Sequence, residues 1–282
     1  MTGAGPLFQD HVAGGFGWRE RPGEAGAGAL PLVCLHGIGS EARAFDALAG
    51  ALHAGLRVIA WEAPGYGPSA PLPQDWPEPA DYADALARLA DGLGLGRFWL
   101  LGHSLGTLIG AAFAARHPDR VAGLALVSCA QGMGVAPGSP LPARAQARID
   151  DLERLGPAAF ACARAPRLIH EPARHPELVA AVAAGMARVR LPGYAQAVRM
   201  LASGDLAGQA AALRVPSCVF VGAEDVVTPP AQSRAVWDAL PAPARRHYAE
   251  LSDTGHAAPQ QAPAALAAQL TATLLHPGGA QP

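Results

Sequence analysis

The chain has 282 residues, half of them hydrophobic and only 16% charged, which supports one large domain, or a core domain with an insert, around a sizeable core. Its formal net charge is −2 and every one of its 21 Lys+Arg positions is arginine, a balance that argues against nucleic acid or an anionic membrane surface as a partner. The four cysteines, Cys34, Cys129, Cys162 and Cys218, are scattered singly, which excludes zinc-ribbon and C-x-x-C redox motifs.

In chain order, the first 30 residues are glycine-rich and are expected to form an antiparallel hairpin at a sheet edge. Their opening, "MTGAGPLFQDHVAGG", has no basic start followed by a long apolar run, so no secretory signal is expected and a cytoplasmic location is. "PLVCLHG" (31–37) reads as a buried strand ended by glycine. "SEARAFDALAGALHA" (40–54) places Phe45, Leu48, Ala49 and Leu52 at helical spacing. "LRVIAWEAPGYG" (56–67) is a strand running into a Pro/Gly turn, and "PADYADALARLADGLG" (79–94) a helix ended by glycine. "RFWLLGH" (97–103) is a strand, "LGTLIGAAFAARHP" (105–118) a helix stopped by Pro118, and "VAGLALVSCA" (121–130) a strand. Residues 131–213 contain no convincing strand; four Pro- and Gly-separated segments there read as helices. Strand, helix, strand and helix then return in "PSCVFVGAED", "PAQSRAVWDAL", "RRHYAELSD" and "APAALAAQLTATLL".

Such alternation predicts an α/β fold with a mostly parallel sheet, and strands apolar throughout predict helices on both faces. Residues 1–130 and 214–282 form the core in this reading. Residues 131–213 are a helical lid over the C-terminal ends of the strands, where open α/β sheets bind ligands. No run of about 18 apolar residues marks a membrane span.

"GHSLG" (102–106) sets Ser104 between a strand and a helix, with glycines two residues away on each side. A serine hydroxyl there would be lifted above the sheet edge, over the positive end of a helix. It needs a base, and the base needs an orienting group. His256, in the loop between the last strand and the last helix, is the candidate base among ten histidines. Asp225 is the candidate acid, with Glu224 next to it as the backup; Asp253 is expected to face solvent. The backbone N–H groups of Ile38, in "HGIGS", and of Leu105 are the candidate oxyanion donors. Met133, Val226 and Val227 are candidates for the pocket wall. Arg188 and Arg190 are candidates for binding a substrate carboxylate, or else solvated helix charges.

The order Ser104, Asp225, His256, with "HGIGS", "APGYGPS", "GHSLG", "ARHPDRVAGLALVS", "GAEDVVTPP" and "TGHAAPQQAP" along nearly the whole chain, resembles the α/β-hydrolase superfamily. Within it the chain is similar to the branch of 3-oxoadipate enol-lactonases, lidded esterases and carbon–carbon bond hydrolases. The resemblance implies a serine hydrolase acting on an ester, lactone or related small carbonyl substrate, with no metal and no organic cofactor, as a monomer or homo-oligomer. Carbon–carbon bond hydrolysis, cofactor-free oxygenation and perhydrolysis stay open on the same fold, as does a non-catalytic ligand receptor.

Overall fold

A computed structural model describes residues 8–23 and 30–275. Eight strands form one sheet: β1 (Gln9–Ala13), β2 (Phe16–Arg21), β3 (Leu32–Leu35), β4 (Val58–Glu62), β5 (Phe98–His103), β6 (Val121–Val127), β7 (Ser217–Gly222) and β8 (Arg245–Leu251). Their spatial order is β1-β2-β4-β3-β5-β6-β7-β8. β1 and β2 pair antiparallel, as do β2 and β4, while every pair from β4 to β8 is parallel.

The expected edge hairpin is β1–β2. Its two-residue loop, Gly14-Gly15, holds φ of 60° and 81°, the left-handed pair that a tight hairpin with the right twist demands. The rest of the first 30 residues, 1–7 and 24–29, lies outside the described residues.

The helices are α1 (Asp46–Ala51), α2 (Pro79–Gly92), α3 (Leu105–Arg116), α4 (Ala143–Arg164), α5 (Pro176–Met186), α6 (Leu191–Ser203), α7 (Leu206–Ala211), α8 (Pro230–Ala239), α9 (Ala258–Gln261) and α10 (Pro263–Thr273). α2 starts where the Asp81 carboxylate accepts from the Glu78 N–H at 2.7 Å, with Pro79 at its first position. α1 is shorter than the apolar spacing suggested: a 3-10 turn, Ala42–Phe45, takes up its first residues.

β3, β6 and β7 are buried at every residue, as a sheet covered on both faces requires. One apolar cluster joins the sheet to α2, α3 and α8 through Tyr82, Leu86, Leu108, Phe113 and Val236. The other joins it to α1 and α10 through Leu48, Leu266 and Leu270. Within α3 ten of the twelve residues are buried, so its apolar character all round reflects burial on every side.

Between β6 and β7 the described chain runs through α4 to α7, with only an isolated bridge between Gly132 and Asp205. α4 is kinked at Gly156, whose φ of 71° interrupts the helix just before Pro157. α6 is tied to the loop after β4: the Gln196 amide donates to the carbonyls of Leu72 and Gln74, both at 2.7 Å. No described helix is long and apolar enough to cross a membrane.

Candidate active site

Ser104 follows the last residue of β5 and precedes the first of α3, with φ 53° and ψ −116°, a strained conformation for a side chain with a Cβ. The surroundings enforce it. Its N–H donates to Val127 O at 2.9 Å, and its carbonyl accepts from Thr107 N and Thr107 Oγ1. A Cβ at Gly102 would lie 2.3 Å from Gly106 O, and one at Gly106 would lie 2.2 Å from Leu35 O. Only glycine lets α3 and β3 approach the turn this closely.

The loop after β3 passes directly against the serine. A Cβ at Gly37 would meet Ser104 Cβ at 2.9 Å and Oγ at 3.4 Å. Ile38 and Ser104 line the same cavity, and Leu105 opens α3, where the first N–H groups have no partner within the helix.

His256 and Asp225 stand on the loops after β8 and β7, and both are buried. His256 Nδ1–H donates to Asp225 Oδ2 at 2.9 Å. The other carboxylate oxygen, Oδ1, accepts from Val227 N and Thr228 N, each at 2.8 Å. The Thr228 hydroxyl donates to Oδ2 at 2.9 Å and sits 3.1 Å from His256 Nδ1. Burial by itself raises the Asp225 carboxyl, but the charge of His256, its hydrogen bond and those of Thr228 outweigh it and hold the group down at about 2. Asp225 is therefore a carboxylate at any ordinary pH, fixing the His256 tautomer with Nδ1 protonated and Nε2 as acceptor. Glu224 and Asp253 are both exposed.

His256 and Ser104 line one cavity of about 550 Å³ without a direct hydrogen bond between their side chains. The cavity also takes in Met133, Val227, Phe160 and Tyr194. Val226 does not reach it, being 64% exposed. Nor do Arg188 and Arg190. Arg188, two residues past the end of α5, pairs with Glu41, in the loop after β3, at 3.1 Å. Arg190 donates to Gly67 O.

Two residues beside the site escape a reading of sequence. Thr228 lies three positions after Asp225, a spacing at which a hydroxyl can bond the carboxylate in a turn. His103 directs its ring across the elbow, and its Nε2–H donates to the His256 carbonyl at 2.8 Å. Burial first, and the nearby His256 charge second, push His103 down to about 3, so it stays neutral and serves as a strut for the His256 loop. The sequence signal for it is only its adjacency to Ser104.

Comparison with known proteins agrees with this fold. Residues 30–257 match the model of the serine aminopeptidase S33 hydrolase family. RutD of Klebsiella pneumoniae strain 342, a provisionally named carbamate hydrolase, is 30% identical over 245 residues, covering 82% of this chain and 85% of that one. The enol-lactonase from Burkholderia xenovorans LB400 superposes with a TM-score of 0.78 at 25% identity, covering 93% and 98% of the two chains. Other curated relatives are matched over less of their length. The chain spans 35% of a dihydrolipoyllysine-residue acetyltransferase component of the acetoin cleaving system from Pseudomonas putida, at 36% identity over 47% of its own residues. It spans 43% of a 2-hydroxy-6-oxononadienedioate/2-hydroxy-6-oxononatrienedioate hydrolase from the same species, at 37% identity over 42% of its residues.

Proposed function

The chain belongs to the serine aminopeptidase S33 family of α/β-hydrolases, and from that membership we propose that it hydrolyses a small ester or lactone through an acyl-enzyme on Ser104. The observation that carries the reading is the buried His256–Asp225 pair facing the same cavity as a serine held in a strained strand-to-helix turn.

In this mechanism His256 Nε2 takes the Ser104 proton as Oγ bonds to the substrate carbonyl carbon. The resulting oxyanion is held by the Ile38 and Leu105 N–H groups, an arrangement worth about 3 kcal/mol per donor in comparable sites. The tetrahedral adduct collapses, the carbon–oxygen bond to the alcohol breaks, and His256 returns its proton to that leaving group. Water then gives a proton to His256 and its hydroxide to the acyl carbon; the bond to Oγ breaks and Ser104 regains the proton. The sum is ester plus water to acid plus alcohol. The helices between β6 and β7 act as a lid over the site.

Similarity to a 2-hydroxy-6-oxononadienedioate hydrolase favours a second reading, hydrolysis of such a dienedioate at the same serine.

Ser104→Ala should lower turnover of a 4-nitrophenyl ester by at least about a thousandfold, the scale seen when the nucleophile of such a unit is removed. Undiminished turnover would sink the assignment. If a dienedioate were instead cleaved far faster than any ester or lactone, the second reading would replace the first.

A further inference from the structure

Four arginines, Arg144, Arg148, Arg164 and Arg167, line the cavity that holds Ser104 and His256, and no aspartate or glutamate lines it. In a chain of net charge −2 this is a strong local imbalance. Two of the four are anchored. Arg164 pairs with Asp151 at 3.1 Å and lies 4.5 Å from the centre of the Phe160 ring. Arg148 lies beside the Tyr194 phenol, on the same cavity wall. Arg144 and Arg167 have no ion-pair partner among the described residues.

Hydrolysis of a neutral ester requires none of these charges. Four guanidiniums on one partly enclosed wall repel one another, and the half-buried pair, Arg148 and Arg164, also lose part of their hydration, whereas Arg144 and Arg167 are exposed. An anion in the cavity relieves both costs. A guanidinium fork matches a planar carboxylate with two parallel hydrogen bonds, which a single ammonium group cannot do. A wall of like charge also raises the local concentration of an oppositely charged substrate.

We infer that the site takes an ester or lactone bearing a free carboxylate, held by the Arg144–Arg148–Arg164–Arg167 wall while its carbonyl faces Ser104. This rests on the hydrolase reading above and names the substrate class for it. The carboxylate can sit on the acyl side or on the alcohol side of the scissile bond; the chemistry recognised is the same.

Two matched pairs separate these cases. 4-Nitrophenyl hydrogen adipate against 4-nitrophenyl methyl adipate tests the acyl side. 4-Acetoxybenzoate against its methyl ester tests the alcohol side. Within one enzyme preparation the ratio of kcat/KM, anionic over neutral, does not depend on the folded fraction. In at least one pair that ratio should exceed about tenfold at low ionic strength, the size of one charge-assisted hydrogen bond. It should fall at least about fivefold in about 0.5 M NaCl, where screening is short-ranged. The double variant Arg144→Gln/Arg167→Gln should collapse it similarly. Ratios near one in both pairs, or a preference the double variant keeps, overturn the inference while leaving ester hydrolysis standing. Turnover that survives Ser104→Ala overturns the hydrolase reading itself.

Discussion

Glu62 is a carboxyl group at the edge of a second, smaller cavity on the β3 side, and its surroundings do not pair it. Its side chain is 13% exposed; Oε1 accepts from Ala42 N at 3.3 Å, and Oε2 has no hydrogen bond. The nearest ring nitrogen, His36 Nε2, is 3.9 Å away but accepts from Ala63 N, and burial drives His36 down to about 4, so it brings no positive charge. Burial, with smaller help from the Glu41 charge, raises Glu62 to about 7. The folded chain thus keeps a proton that the unfolded chain, near 4.5, has released. Its effect on stability is absent below pH 4.5, grows as pH rises, and is complete above pH 7 as a destabilisation. Glu62→Gln keeps the Oε1 acceptor and removes the charge. In urea titrations it should match the parent at about pH 4, below the unfolded value, and exceed it by about 1–3 kcal/mol at pH 8. Parallel curves for the two proteins across that range would show that Glu62 ionises without cost.

At the scale of elements, Gln261 at the end of α9 clamps the His256 loop to the stretch after α4. Its Oε1 accepts from His170 N at 3.0 Å and Gly255 N at 2.9 Å, and its Nε2 donates to His170 O at 2.9 Å. Ala257 N adds a bond to Leu168 O. Gln261→Ala leaves two N–H groups and a carbonyl without partners next to His256, so stability should fall by about 1–3 kcal/mol. Because the group moves the base rather than binding substrate, kcat should fall while KM holds; a rise in KM at constant kcat would place Gln261 in substrate binding instead. Such a clamp is invisible to sequence reading, since its partners lie 91 residues apart. What sequence did reveal depends on local signals: the glycine pair around Ser104, the Gly14-Gly15 turn, the apolar strands. Arg144 and Arg148 stand four residues apart, hence on one face of α4, but which face meets the cavity is set by how α4 packs on α6. The same gap explains why Arg188 and Arg190, equally plausible by position, proved to face elsewhere.

Across the whole molecule, the segment between β6 and β7 shares its core with the sheet. A single apolar cluster contains Ala145, Ile149, Phe160, Tyr194 and Val198 from that segment together with Leu105, Leu108 and Leu124 from the sheet and α3. The segment's other cluster is small, Ala165, Ile169 and Val182 closing on Ala257 of the His256 loop. A segment whose main core is continuous with the sheet cannot stay folded once the sheet is lost, so both should melt in one transition. All five tryptophans, Trp18, Trp61, Trp76, Trp99 and Trp237, lie outside the segment, whereas α4, α5 and α6 supply much of the helix. Tryptophan fluorescence and far-ultraviolet circular dichroism therefore weight the two parts differently, and their thermal transitions should coincide. Gln196→Ala sharpens the test, because it strands the Leu72 and Gln74 carbonyls exactly where α6 meets the loop after β4. At about 1–3 kcal/mol lost, both signals should shift down together, by about 2–4 °C per kcal/mol in a chain of this size. A helical signal that melts ahead of the fluorescence would show the segment to be an independently unfolding layer, and would make opening of the site a matter of local unfolding rather than rigid motion.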